Sequence, residues 1–163
     1  MKTKRLFFTA VMIMAASAMF AQTNFSGTWA LNESKSNFGD SQFRFAATTI
    51  IATQDAASLS VQNTQPGFDG GEMKTNAKYN LDGSVSSNTG FMDNVSKSTV
   101  AWSADKTALT INTTMNFEMN GESREFKSTQ VWKLSEGGKM LVIESSMPGP
   151  DGERKTTAAY DKK

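Results

Sequence analysis

The sequence predicts an all-β fold, an antiparallel up-and-down β-barrel of about 8 to 10 strands. Two observations predict it. Beyond residue 21, apolar residues recur at every second position, whereas an amphipathic helix would space them by 3.6 residues. Segments with this alternation are separated every 8 to 14 positions by turn-favouring Gly, Pro, Asn or Asp. Many short strands with such regular turns are typical of a β-sandwich or a β-barrel.

The first 21 residues have the pattern of a secretory signal peptide. Residues 1–5 carry three positive charges, residues 6–14 are mainly apolar, and small residues follow up to Ala21. A membrane anchor is the alternative, but a spanning helix needs about 20 mainly apolar residues, and this apolar run is shorter. We expect cleavage after Ala21, with Ala18 as an alternative site, and export of residues 22–163 to the periplasm or the extracellular medium.

The composition of residues 22–163 excludes some classes of partner and of stabilising bond. The whole chain has 17 basic and 16 acidic residues, and loss of Lys2, Lys4 and Arg5 leaves 14 basic residues and a net charge of −2. No basic patch indicates a nucleic-acid partner. Because cysteine is absent, stability must come from an apolar core without disulfides, and lipid attachment at an N-terminal cysteine is excluded. The remaining 142 residues have the size of one domain, which we expect to be a monomer without a membrane span.

The strands follow one another along this domain as a meander. One helical turn is expected between residues 32 and 40, with Ser34 as its cap and Gly39 as its stop. The predicted strands are residues 27–32, 43–53, 58–64, 73–80, 84–91, 96–103, 108–119, 123–134, 139–147 and 153–161.

The clearest pair of strands flanks Asn120-Gly121, a sequence that favours a two-residue hairpin. In residues 108–119, one parity is mainly apolar and the other carries Thr, Asn and Glu. In residues 123–134, Phe126 and Trp132 share one parity. We therefore predict an antiparallel hairpin with one core face and one solvent face.

A meander of this many strands has two edges, and closure of the sheet on itself removes them. Closure of the edges favours a barrel over a sandwich, although alternating strands suit both architectures. A barrel of this size has room for one small ligand. The prediction of closure therefore also bears on function.

Both ends of the domain resemble the calycins, the group of the lipocalins and the fatty-acid-binding proteins. Gly27-Thr28-Trp29 is similar to their Gly-x-Trp opening strand, and residues 139–144 and 156–160 resemble the last two strands of the fatty-acid-binding proteins. The resemblance implies a closed antiparallel barrel, with Trp29 at its closed end and an interior cavity for a fatty acid or a similar ligand. It makes residues 22–163 a lipocalin-like domain.

The sequence departs from that family at two places. The final strand of the fatty-acid-binding proteins carries Arg-x-Tyr, which clamps a ligand carboxylate, whereas this chain has Ala158-Ala159-Tyr160. The two-helix lid of those proteins has no room in residues 32–41. We therefore expect a minimal exported barrel that holds an apolar molecule mainly by shape.

The candidate ligand-binding residues share the parity of apolar neighbours in predicted strands. Each aromatic residue among them could equally be simple core, and Arg124 could be exposed at the rim. Gln130 and Tyr160 stand out as interior polar groups that need hydrogen-bond partners. Arg44 and Arg154 are assigned to the surface. The candidates are Phe45, Tyr79, Trp102, Met115, Phe117, Arg124, Phe126, Gln130, Trp132 and Tyr160.

Catalytic and metal-binding patterns are weak in this sequence. Histidine and cysteine are both absent, which removes the usual proton shuttle, a common metal ligand and the thiol nucleophile. Most acidic residues fall in turns, residues 67–71 do not have the strand-to-helix context of a phosphate loop, and no calcium loop is present. Met115 with Met119 is a weak copper motif that core packing explains better. We expect no enzyme, no cofactor and no metal.

Two function classes remain. The favoured one is an exported barrel that binds or carries a small apolar, lipid-like molecule. The alternative is a protein-interaction or structural module with the same fold and no small ligand. A lipocalin-fold enzyme is a third, minor interpretation.

Overall fold

Alternating side chains build ten strands in the computed structural model, which describes residues 21–39, 46–67, 70–90, 94–119, 122–149 and 152–163. The predicted signal peptide and Phe45 lie outside the described residues, except that Ala21 is included. The strands are β1 Gly27–Leu31, β2 Thr49–Gln54, β3 Ser58–Pro66, β4 Glu72–Asn80, β5 Ser86–Thr89, β6 Val95–Trp102, β7 Ala108–Met119, β8 Glu122–Ser135, β9 Met140–Gly149 and β10 Gly152–Lys162. Short 3-10 helices lie at Glu33–Lys35 and Glu136–Gly138.

All ten strands belong to one antiparallel sheet with the order β4-β3-β2-β1-β10-β9-β8-β7-β6-β5. Sequential strands are neighbours, and β1 pairs with β10, so the chain is a meander whose two halves meet at its first and last strands. A sandwich would need two sheets. The predicted all-β meandering barrel is therefore confirmed, and the barrel is nearly closed.

The hairpin predicted around Asn120-Gly121 has the expected register. β7 and β8 pair from Ala108↔Lys133 up to Met119↔Glu122, so only two residues connect them. Leu109, Ile111 and Trp132 are buried on the inner face. The alternation of the sequence thus corresponds to the two faces of the barrel wall.

The sequence misplaced the start of the second strand. It begins at Thr49, and residues 46–48 are not strand, whereas the prediction began at residue 43. Ala46 and Ala47 nevertheless pack against the interior. Burial of these two residues therefore does not require a strand.

Two turns also differ from the prediction. Asn32, not Ser34, caps the 3-10 helix at Glu33–Lys35, because its side chain accepts a hydrogen bond from the Lys35 amide at 3.2 Å. β5 is shorter than predicted, because Ser84 belongs to the preceding turn and donates its amide hydrogen to Asp82.

The apolar core fills one end of the barrel, which we call the base. The base is the end formed by the turns after β2, β4, β6 and β8, and the opposite end is called the distal end. Trp29 is completely buried at the base and donates its indole N–H to the Phe25 carbonyl oxygen at 3.0 Å. The Phe25 ring stacks on Trp102 and meets Trp132 edge-on, with ring centroids 6.0 and 5.9 Å away. Aromatic packing therefore closes this end.

The sheet closes between β4 and β5 by side chains, where no backbone ladder pairs the two strands. The Asn88 amide group accepts a hydrogen bond from the Lys78 backbone N–H at 2.7 Å and donates one to the Lys78 carbonyl oxygen at 3.2 Å. The Asn80 N–H donates to the Ser86 hydroxyl at 2.8 Å. We call these contacts the β4–β5 closure.

Candidate ligand cavity

A cavity of about 570 Å³ lies above the base, inside the barrel. Its wall consists of inward-facing side chains from strands on all sides, because alternate residues of each strand point into a barrel. The lining residues are Phe38, Ala46 and Ala47 before β2, Ile50, Asn63, Gln65, Met73, Tyr79, Met115, Phe117, Phe126, Ser128, Gln130, Trp132, Ile143, Ser145, Met147, Arg154, Thr156, Ala158 and Tyr160.

Most of the predicted site residues meet at this cavity. They come from β4, β7, β8 and β10, and their shared inward parity is what brings them together. Whether they contact a ligand stays a prediction. The predicted residues that line the cavity are Tyr79, Met115, Phe117, Phe126, Gln130, Trp132 and Tyr160.

The other predicted residues lie elsewhere. Trp102 packs in the base against Phe25, and its buried indole N–H has no hydrogen-bond partner among the described residues. Arg124 is exposed, forms an ion pair with Glu122 at 3.3 Å and does not line the cavity. Phe45 lies outside the described residues.

Sequence reasoning missed Arg154. It assigned this residue to the surface, and the side chain is exposed, but Arg154 also lines the cavity from β10. The signal was present, since Arg154 has the same parity as Thr156, Ala158 and Tyr160. Among the lining residues in the described ranges, Arg154 is the only charged one.

Polar side chains form a band across three adjacent strands of the wall. The strand register places Gln130 of β8 opposite Ser145 of β9, and Ser145 opposite Thr156 of β10. The Gln130 side-chain oxygen accepts a hydrogen bond from the Trp132 indole N–H at 3.1 Å. This contact fixes the amide, so that its NH₂ group is directed away from Trp132. The band offers hydrogen bonds within a wall whose other side chains are mainly apolar.

Two tyrosines bring hydroxyl groups into the interior. The Tyr160 side chain is buried, and burial raises its pKa well above the usual value despite a hydrogen bond from the Ala47 backbone amide. Burial also raises the pKa of Tyr79. Both phenols are therefore neutral at physiological pH and serve as hydrogen-bonding groups.

The described residues contain no group of three acidic side chains that could hold a metal ion. A shallower depression of about 370 Å³ lies on the outer face of β2 to β5, where Ile51, Gln62 and Lys78 face solvent. Its position outside the wall leaves it open to water.

The described segments contain no helix that is both long and apolar enough to cross a membrane.

Comparison with known proteins supports the architecture. A solved structure with the same arrangement is zebrafish ileal bile acid-binding protein in complex with cholic acid, with a TM-score of 0.55 and 16% sequence identity over 85% of this chain and 98% of that chain. No protein-family model and no curated protein sequence matches the chain. At this identity the likeness concerns the fold alone: this chain folds as a ten-stranded, nearly closed antiparallel barrel like that of the bile acid-binding protein.

Proposed function

We propose that this protein is an exported, non-enzymatic carrier or binding protein for a small apolar molecule, which the barrel interior encloses. The observation that carries the proposal is the cavity of about 570 Å³. Ligand pockets commonly measure about 300–1,000 Å³ and combine mainly apolar walls with a few placed polar groups. The polar band of Gln130, Ser145 and Thr156 in an aromatic and methionine-rich wall fits that description.

The bile acid bound by the zebrafish protein supports a lipid-like ligand here. Both chains share the barrel, and that protein was crystallised with an amphipathic small molecule. The absence of an Arg at Ala158 and the neutral phenol of Tyr160 favour a ligand held deep in the barrel by shape and hydrogen bonds.

The alternative of an interaction module has less support from the outer surface. Among the described residues, the exposed large apolar side chains are Ile51, Val85 and Val95. They lie on β2, before β5 and on β6, and single exposed apolar residues are normal for a soluble protein surface. An apolar docking patch would need a contiguous set.

Export is the part of the proposal that rests on residues 1–21. It is tested by expressing the full chain in a secreting bacterial host and sequencing the N-terminus of the exported protein. We expect the mature chain to begin at Gln22. An unprocessed chain retained in the cytoplasm would overturn the export proposal and leave the cavity proposal in place.

Ligand binding is tested by calorimetric titration with decan-1-ol, a fatty acid, a retinoid and a sterol. Thr156 faces the cavity, whereas its neighbour Lys155 is exposed on the outer face. We expect binding of at least one ligand to the native protein and to the control variant Lys155→Trp. Thr156→Trp should remove that binding because its side chain occupies the cavity.

Near-identical circular dichroism spectra and unfolding midpoints of the two variants would show that both are folded. If no ligand binds to the native protein, the carrier proposal is wrong and the interaction module becomes the better interpretation. Equal binding to Thr156→Trp and Lys155→Trp would place the ligand outside the cavity.

A further inference from the structure

On two strands of the cavity wall, the inward side chains change from apolar to polar along the barrel axis. On β3, the inward residues are Leu59 and Val61 near the base, but Asn63 and Gln65 towards the distal end. On β10, Tyr160 and Ala158 near the base are likewise followed by Thr156 and Arg154. Two strands on different parts of the wall thus change in the same direction, from apolar to polar.

We propose that the cavity takes a monoanionic amphipathic molecule with its apolar end towards the base and its anionic group at Arg154. The inference rests on the proposed function and specifies the ligand class and its orientation. Arg154 lies four residues before Ala158, which corresponds to about 13 Å along an extended strand. The guanidinium is permanently charged and its planar set of donors matches a carboxylate.

The opposite orientation is unfavourable because the described residues that line the cavity near the base include no cation. The floor of the cavity near the base carries Ile50, Trp132 and Ile143, which are 2%, 2% and 5% exposed. Tyr160 can donate one hydrogen bond but stays neutral. A carboxylate there would lose its hydration without gaining a counter-charge.

The distal end suits a partly hydrated head group. Arg154 keeps much of its side chain in solvent while lining the cavity, so an anion beside it need not be fully dehydrated. Phe117 and Phe126 line the same cavity from the neighbouring hairpin and can cover the adjoining methylene groups.

The first test compares decanoate with decan-1-ol at neutral pH by calorimetric titration. The variant is Arg154→Gln, and the matched control is Arg124→Gln, which removes an exposed cation that does not line the cavity. We expect Arg154→Gln to weaken decanoate binding roughly three- to tenfold, as for a partly exposed charge-assisted contact. Binding of decan-1-ol, and both ligands with Arg124→Gln, should change less than about twofold.

The second test measures orientation. All three tryptophans, Trp29, Trp102 and Trp132, belong to the base or the cavity floor. A bromine atom at the tail end of decanoate should therefore quench tryptophan fluorescence strongly, whereas bromine next to the carboxylate should quench weakly. The reverse order would overturn the proposed orientation.

The outcomes separate this inference from the proposed function. If neither decanoate nor decan-1-ol binds and the wider ligand panel also fails, the cavity proposal itself is wrong. If both bind and Arg154→Gln affects them equally or not at all, the carrier proposal stands and the role of Arg154 is overturned.

Discussion

Gly27 and Trp29 show how single residues determine the packing of the base. Trp29 is fully buried, and the Lys162 amine lies 5.3 Å from the centre of its ring. Gly27 has φ +152°, and a Cβ atom there would come within 3.1 Å of Lys162 Cε. A side chain at residue 27 would therefore strain the backbone and displace the end of the Lys162 side chain.

We expect substitution of Trp29 and of Trp102, both in the base, to lower the stability of the protein by different amounts. The Trp29 indole N–H is hydrogen-bonded to Phe25, whereas the buried Trp102 N–H has no partner among the described residues. Trp29→Phe loses buried area and leaves a carbonyl oxygen without its donor, so we expect a loss of about 2–3 kcal/mol in the free energy of unfolding. Trp102→Phe removes an unsatisfied donor together with some packing, and we expect a smaller loss, about 1 kcal/mol or less.

Urea unfolding of both variants measures the contrast. An equal or larger loss for Trp102→Phe would show that the Trp29 hydrogen bond does not have the role assigned to it.

Residue parity explains both the success and the failure of the site prediction. Alternation along a strand reports which face a side chain occupies, so Met115, Phe117 and Gln130 could be placed inside. It does not report the height along the barrel axis, which depends on strand tilt and register. Trp102 was therefore placed at the ligand although it packs in the base. Arg154 is exposed, as its charge indicated, but its position beside the cavity was missed.

Among the structural elements, three base turns share one construction. Asp55, Asp82 and Asp105 each accept hydrogen bonds from a backbone amide and a hydroxyl group two or three residues away. These contacts hold the pKa of each carboxyl below its usual value of 3.8; the largest cause is a backbone amide for Asp55 and a serine hydroxyl for Asp82 and Asp105. The ionised carboxylates therefore stabilise the turns after β2, β4 and β6.

The sign of this effect predicts acid sensitivity. Since the folded pKa values lie below the unfolded ones, the stabilisation is present above the unfolded pKa and is lost as pH falls through the folded values. We expect the free energy of unfolding to decrease below about pH 4, and a variant with Asn at all three positions to be less stable at pH 7 with a flatter acid limb.

Urea titrations at several pH values test this. A triple Asn variant whose stability falls as steeply with acid as the native protein would contradict the account. A smaller decrease in the free energy of unfolding with falling pH in the triple Asn variant would support it.

The β4–β5 closure is the element that sequence could not reveal. Strand propensity located β4 and β5, but pairing through side chains leaves no periodic pattern in the sequence. We expect Asn88→Ala to lower the free energy of unfolding by about 1–2 kcal/mol, because two hydrogen bonds to Lys78 are lost. The Lys78 amide should then exchange its hydrogen faster.

Asn76→Ala is the matched control for that variant, because the Asn76 side chain bonds the Gln62 side chain on the exposed face. A comparable change in Lys78 exchange for both variants would mean that Asn88 does not close the sheet.

At the scale of the whole molecule, the same barrel wall packs the apolar base and lines the cavity. Strand number, meander and inward parity followed from the sequence because each depends on local alternation and turn residues. The volume of the cavity could not be predicted from the sequence. It depends on how far the aromatic base extends and on the register that places Arg154 and Thr156 beside the cavity. The described residues therefore separate into a packed base and an unfilled upper interior.

The central claim is that this interior holds the ligand, and methionine methyl groups report on it directly. Met73, Met115 and Met147 line the cavity, whereas Met140 is 5% exposed and does not. Nuclear Overhauser spectra of the protein with labelled methionine methyl groups, recorded with bound decan-1-ol, should show contacts from the three lining residues and none from Met140. Bound decan-1-ol without contacts to Met73, Met115 or Met147 would contradict the account.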